Sequence, residues 1–211
     1  MKLQVAIDRV DVERAVAITQ AVAGHADIIE IGTSLTKEYG VRALGPIIEA
    51  AHGTAVLGDI KTCDEGRYEF DLGYECGLDL LTVMGGASAG TLRVCAASAA
   101  DHHGDMMIDL LECDEERIAA IAAIEALDDA IYCLHTSIDS GATADPVGQV
   151  RAFRARHPHI RRIAIAGGIT ADQLPGLARE GVEIAIMGSA ITKADDLAAA
   201  CRACADACHT A

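Results

Sequence analysis

Along this chain, short aliphatic runs alternate with longer stretches whose apolar positions recur at helical spacing. The short runs are Leu3 to Ile7, Ile28 to Ile31, Ala55 to Ile60, Leu80 to Val83, Met106 to Leu110, Ala130 to Leu134, Ile163 to Ala166 and Ile184 to Met187. Each is too short for a buried helix and is apolar enough for a strand covered on both faces. Between them, Val12 to Ala23, Glu65 to Cys76, Glu115 to Leu127 and Ala171 to Glu180 read as amphipathic helices. The strand ends at residues 7 and 187 enclose seven intervals of about 26 residues, close to the minimum for a strand, a helix and two short loops. Eight consecutive βα units predict a closed parallel (β/α)8 TIM barrel, a single compact α/β domain over residues 1–211. The open doubly wound sheet is the competitor, but it usually has fewer strands, and no glycine fingerprint follows the first strand.

Against that apolar background, polar residues at the strand ends are the informative exceptions. Asp8 ends the first strand, Glu30 interrupts the second, Asp59 and Lys61 end the third, Asp109 the fifth and His135 the sixth. In a (β/α)8 barrel these positions open onto the face where the active site is expected. One strand-end Asp is explained as a helix cap; six residues of complementary chemistry are not. A carboxylate buried at Glu30 needs a cation, either Lys61 or a metal. Asp59 and Lys61, two residues apart on a strand, face the same side. Glu30, Asp59 and Asp8 around one lysine leave a negative imbalance that favours a divalent cation. The hard oxygen ligands point to Mg²⁺, with Mn²⁺ satisfying the same set, over Zn²⁺.

Strands seven and eight end differently, in Ala166-Gly167-Gly168-Ile169 and Met187-Gly188-Ser189-Ala190. Backbone amides freed by glycine at these two loops are the usual phosphate cradle of the fold. His135 is the histidine at a predicted strand end and the acid–base candidate. The other histidines, at 25, 52, 102, 103, 157, 159 and 209, read as solvated loop or helix-end residues.

Net charge changes the picture in one way. At −15 the chain has no basic stripe for nucleic acid, and a bound phosphate must be held by local features against the overall field. No apolar run reaches the roughly 18 residues of a membrane span, and Met1-Lys2-Leu3-Gln4 leads directly into a strand, so a cytoplasmic protein without membrane partners is expected. The eight cysteines are expected to be free thiols. Cys201, Cys204 and Cys208, before His209, raise a zinc site, but they share a helical face with Leu197 and Ala200 and fit core packing better.

The Asp-x-Lys-x-x-Asp motif of Asp59, Lys61 and Asp64, with Glu30-Ile31-Gly32-Thr33 before it, resembles the orotidine-phosphate-decarboxylase suprafamily, nearest its 3-hexulose-6-phosphate synthase branch. The resemblance runs from Leu3-Gln4-Val5-Ala6-Ile7-Asp8 through Ala164 to Ile169 and on to Gly188-Ser189-Ala190-Ile191-Thr192. It implies a Mg²⁺-dependent aldolase that adds formaldehyde reversibly to D-ribulose 5-phosphate through an enediolate. On this reading Glu30 and Asp59 hold the metal, Lys61 contacts the enediolate oxygen and His135 moves the proton. Asp109 and Asp8 order substrate hydroxyls, and Gly167, Gly168, Gly188 and Ser189 hold the phosphate. Asp64 reaches the partner's site in a homodimer with shared active sites. Some related phosphate loops carry Arg at the position of Ser189, which leaves the phosphate here more dependent on amides. The similar 3-keto-L-gulonate-6-phosphate decarboxylases typically carry Glu at the position of Asp109 and His-Arg-Ser-Arg where this chain reads His135-Thr136-Ser137-Ile138; loss of the second Arg favours the aldolase. A non-catalytic phosphosugar-binding barrel is the reading from another class, and the retained proton-transfer set speaks against it.

Overall fold

Eight short strands with no polar face must be covered on both sides, and the chain achieves this by closing the sheet on itself. The computed structural model describes residues 1–137, 139 and 145–210. The strands β1 (Lys2–Ile7), β2 (Ile28–Ile31), β3 (Ala55–Thr62), β4 (Leu80–Met84), β5 (Asp105–Asp109), β6 (Ile131–His135), β7 (Ile163–Ala166) and β8 (Ile184–Met187) pair in sequence order into a closed, all-parallel barrel. β1 closes against β8 with Val5 opposite Met187. The sequence places all eight within a few residues of their ends, and the sixth ends at His135 as expected.

Ten α-helices surround the barrel among the described residues: α1 (Val12–Val22), α2 (Thr33–Tyr39), α3 (Gly45–Ala50), α4 (Gly66–Glu75), α5 (Ala89–His102), α6 (Glu115–Ala122), α7 (Pro146–Arg156), α8 (Leu174–Arg179), α9 (Ser189–Thr192) and α10 (Leu197–His209). Their starts are written locally. Asp11, Ser88, Asp114, Asp145 and Asp196 each accept a backbone N–H from the first turn of the helix that follows. Two predicted helices are broken. The stretch 115–127 stops at Ala122, and Ile124 turns extended to bury its side chain before a 3-10 turn at Glu125–Leu127. Pro175, at the start of α8, cannot lie inside a longer helix, so Ala171–Gln173 forms a separate 3-10 turn.

Strand alternation divides the apolar side chains into two cores. Ile28, Leu57, Leu80, Met107, Ile131, Cys133, Ala164 and Ile184 fill the barrel, while a larger set including Leu3, Ile29, Leu81, Ile108 and Ile165 packs against the helices. Cys201, Cys204 and Cys208 belong to the outer core and are free thiols. His209 pairs with Asp27, Nε2 to Oδ2 at 2.9 Å. His157 departs from the solvated reading: it is 4% exposed, packs at a tilt of 45° against the Phe153 ring and sets Nε2 2.6 Å from Glu115 Oε1. An apolar neighbour one helical turn back, Phe153, gives its ring a place to be buried.

The lower rim is held by Arg162, whose guanidinium forks to Asp105 (2.6 and 2.9 Å) and to Glu183 (2.8 and 2.9 Å) and also donates to Asp129 O. It ties the start of β5 to the approaches of β7 and β8, far from the polar strand ends. Replacing Arg162 by Met is expected to lower stability by about 1.5–3 kcal/mol, the usual loss for hydrogen bonds to charged groups. Urea unfolding checks this; an unchanged midpoint would mean that solvent screens the network.

Candidate active site

The inward positions of the barrel alternate with a period of two, and toward the C-terminal ends they turn from apolar to polar. Gln4, Glu30, Asp59, Lys61, Thr82, Asp109 and His135 line a cavity of about 820 Å³, as do Asp8, Gly167, Gly168, Gly188 and Ser189. Asp64 does not join them. It is exposed in the segment between β3 and α4, outside the cavity of its own chain. Ile138 lies outside the described residues.

A bulge in β3 sets the geometry. The β3–β4 register slips between Gly58 and Thr62, and within that slip Lys61 adopts a left-handed φ of 49°. A side chain in that region is strained, and such strain is retained where the surroundings enforce it. Here Lys61 N–H leaves the ladder and donates to Thr82 Oγ1 at 2.9 Å, while the same hydroxyl donates to Asp59 Oδ1 at 2.8 Å. Thr33 Oγ1 donates to Asp59 Oδ2. The carboxylate and the lysine backbone are thus fixed by one threonine between them.

Lys61 Nζ lies between two carboxylates, hydrogen-bonded to Asp109 Oδ2 and 3.3 Å from Asp59 Oδ2. Burial alone would lower the ammonium pKa, but Asp59 and Asp109 outweigh it and hold Lys61 charged above its ordinary range. Asp109 also takes His135 Nδ1 at 3.0 and 3.1 Å and Leu111 N–H at 2.9 Å. Its burial is offset by His135 and Lys61, which bring its pKa down to about 2. His135 lines the cavity, and an imidazole that donates Nδ1–H to this carboxylate keeps Nε2 as its acceptor nitrogen, the form a general base requires. With these donors upon it, Asp109 holds Lys61 and His135 in place.

Glu30 makes no ion pair with Lys61. Its direct partner is Gln4, whose Nε2 donates to Glu30 Oε2 at 2.5 Å; Lys61 is engaged elsewhere. Burial, and then the Asp59 carboxylate, push Glu30 up to about 8, and Gln4 Oε1 is buried without a hydrogen-bond partner. Two adjacent carboxyls, one pushed toward its neutral form, and an orphaned carbonyl together form a site short of positive charge. Among the described residues no group of three or more His, Cys, Asp or Glu forms a metal cage. Two carboxylates are nonetheless what Mg²⁺ commonly takes from a protein, the remaining ligands being water and substrate oxygens. Glu30 and Asp59 therefore fit such an ion.

Asp8 Oδ1 accepts from Ser34 N–H at 3.0 Å and Ser34 Oγ at 2.6 Å. A Cβ at Gly32 would collide with the Asp8 carboxyl, which explains the glycine of the Glu30-Ile31-Gly32-Thr33 segment. Gly167 and Gly168 have φ of 103° and 68°, and a Cβ at Gly167 would meet Thr136 O. The sequence reading missed Gln4 and Thr82. Each is a polar residue inside an otherwise apolar strand, the same signal that found Glu30.

A (β/α)8 barrel with this cavity matches the Orotidine 5'-phosphate decarboxylase / HUMPS family over residues 1–204, and the chain belongs to that family. Within it the chain is 33% identical over 205 residues to the 3-hexulose-6-phosphate synthase of Mycobacterium gastri, covering 96% of this chain and 97% of the relative. The crystal structure of 3-hexulose-6-phosphate synthase from Salmonella typhimurium superposes with a TM-score of 0.89 at 30% identity, over 100% of this chain and 99% of that one. The 3-keto-L-gulonate-6-phosphate decarboxylase of Vibrio cholerae O1 biovar El Tor gives 0.80 at 26% identity, covering 97% of each chain.

Because the folded Glu30 pKa is raised from an ordinary 4.5 to about 8, its contribution to stability is fully present below 4.5 and is lost as pH rises through 8. Metal-free protein is therefore expected to lose thermal stability across that window, and Glu30→Gln to flatten the slope. Melting temperatures measured from pH 5 to 9 test this; an equal slope in the variant would remove Glu30 as its cause.

Proposed function

We propose that this chain is a 3-hexulose-6-phosphate synthase, adding formaldehyde reversibly to D-ribulose 5-phosphate to give D-arabino-3-hexulose 6-phosphate. The observation that carries this reading is the Lys61–Asp109–His135 chain, in which one carboxylate holds both a cation and an imidazole toward a single cavity. An enediolate reaction needs that pair: a base for the carbon-bound proton and a positive charge for the oxygen that becomes negative. The full-length similarity to synthases, at 30% identity or more, supports the same choice.

The phosphate lies against the amides of Gly167, Gly168, Gly188 and Ser189, which fixes the opposite end of the sugar near Lys61 and His135. His135 Nε2 takes a proton from C1. The electron pair forms the C1–C2 double bond and the C2 oxygen becomes the anion, opposed by Lys61 Nζ. C1 then bonds to the formaldehyde carbon as the C2 carbonyl re-forms, and the proton held by His135 passes to the former formaldehyde oxygen. Bound by Glu30 and Asp59, Mg²⁺ would supply Lewis-acid stabilisation to the same oxygen. Asp8 is left to orient a substrate hydroxyl, and Asp109 keeps both partners aimed.

With Mg²⁺ present, the purified chain is expected to consume formaldehyde only when ribulose 5-phosphate is added, and to leave 3-keto-L-gulonate 6-phosphate largely untouched. Preferential decarboxylation of the latter would reverse the assignment. Lys61→Ala should cost roughly a hundred- to a thousandfold in kcat with the fold intact by circular dichroism; near-normal turnover would remove Lys61 from the chemistry.

The exposed position of Asp64 supports a homodimer in which each copy lends this carboxylate to its partner's cavity. Mixing Asp64→Ala with Lys61→Ala subunits then regenerates one intact site per heterodimer. Verified heterodimers with no recovered activity would refute sharing.

A further inference from the structure

Three cations at the mouth of the cavity have no part in the steps above. Arg9 follows Asp8 beyond β1, Arg14 stands in the first turn of α1 and Lys193 ends α9. All three line the cavity together with Gly167, Gly168, Gly188 and Ser189. The closure of β1 against β8 places the segments after these strands side by side. The β7 and β8 loops themselves, Gly167-Gly168-Ile169-Thr170 and Gly188-Ser189-Ala190-Ile191-Thr192, contain no Lys or Arg.

Two further observations concern this rim. None of the three side chains forms an ion pair or hydrogen bond with any described residue, in a chain with 32 acidic residues against 17 Lys and Arg. Unpaired cations grouped at one cavity in so acidic a protein create local positive potential where the overall field would repel an anion. Arg9, moreover, has a left-handed φ of 56° and is, with Lys61, one of two such non-glycine residues that line this cavity. Its N–H donates to Ser34 Oγ at 2.7 Å, and that hydroxyl donates to Asp8 Oδ1. Glycine would take this conformation without strain, so an arginine held there by a built hydrogen-bond relay points to a use for its side chain.

We propose that Arg9, with Arg14 and Lys193, forms a cationic rim that binds the phosphate dianion of the substrate, a reading that rests on the phosphosugar assignment above. The loop amides give the phosphate direction; the rim supplies its countercharge.

The test uses two readouts on the full chain. Arg9→Gln, and the triple variant Arg9→Gln/Arg14→Gln/Lys193→Gln, should raise KM for ribulose 5-phosphate roughly ten- to a hundredfold, with kcat changed far less. Arg9→Lys should restore part of the loss, and Arg93→Gln, an exposed cation outside the cavity, should change neither. Independently of turnover, inorganic phosphate should raise the melting temperature of the unaltered protein and do so less in the triple variant. Rim-dependent phosphate binding in a protein that fails to turn over ribulose 5-phosphate would overturn the proposed reaction and leave the rim standing. Phosphate stabilisation that is equal in both proteins or absent from both, or an unchanged KM in the triple variant, would overturn the rim.

Discussion

The charges of this cavity are arranged around one ammonium group held between two buried carboxylates. Lys61 opposes the charges of both Asp59 and Asp109, and removing it would leave the two buried carboxylates near Glu30 without a cation. That constraint explains the bulge in β3. A regular strand would carry the Lys61 N–H into the ladder, whereas the bulge releases it to Thr82 and aims the side chain across to β5. Local strain, a hydroxyl relay and a pair of acids are parts of one solution to placing a charge inside an apolar barrel.

Much of the fold was legible because buried parallel strands leave few choices. Runs such as Ile28-Ile29-Glu30-Ile31 and Ile184-Ala185-Ile186-Met187 cannot be surface, and eight of them close only as a barrel. The helices were harder to delimit. Ile124 leaves its helix to reach the outer core, and Pro175 restarts one, and both events depend on packing that periodicity does not record.

For the candidate site, charge was more legible than neutral polarity. Glu30, Asp59, Lys61, Asp109 and His135 stand out against aliphatic neighbours, but spacing does not show which neutral groups partner them. Gln4 partners Glu30 directly because β1 and β2 are neighbouring strands whose register, Gln4 opposite Ile28 and Ala6 opposite Glu30, is not recorded in spacing along the chain. The Asp109–His135 contact likewise depends on the register of neighbouring strands β5 and β6. His157 was misread for the opposite reason: a residue at a helix end can still be buried by a ring one turn earlier.

The two arcs of the barrel mouth differ in kind. From β2 to β6 the inward side chains are carboxylates and their partners, while β7 and β8 end in bare backbone. An elongated guest with an anionic tail therefore meets a polarised socket, and entering backwards would drive that tail into Glu30 and Asp59. For the proposed reaction, such a socket would select its guest by direction as well as by composition, and the span from the glycine loops to Lys61 would act as a ruler for the carbon chain between them.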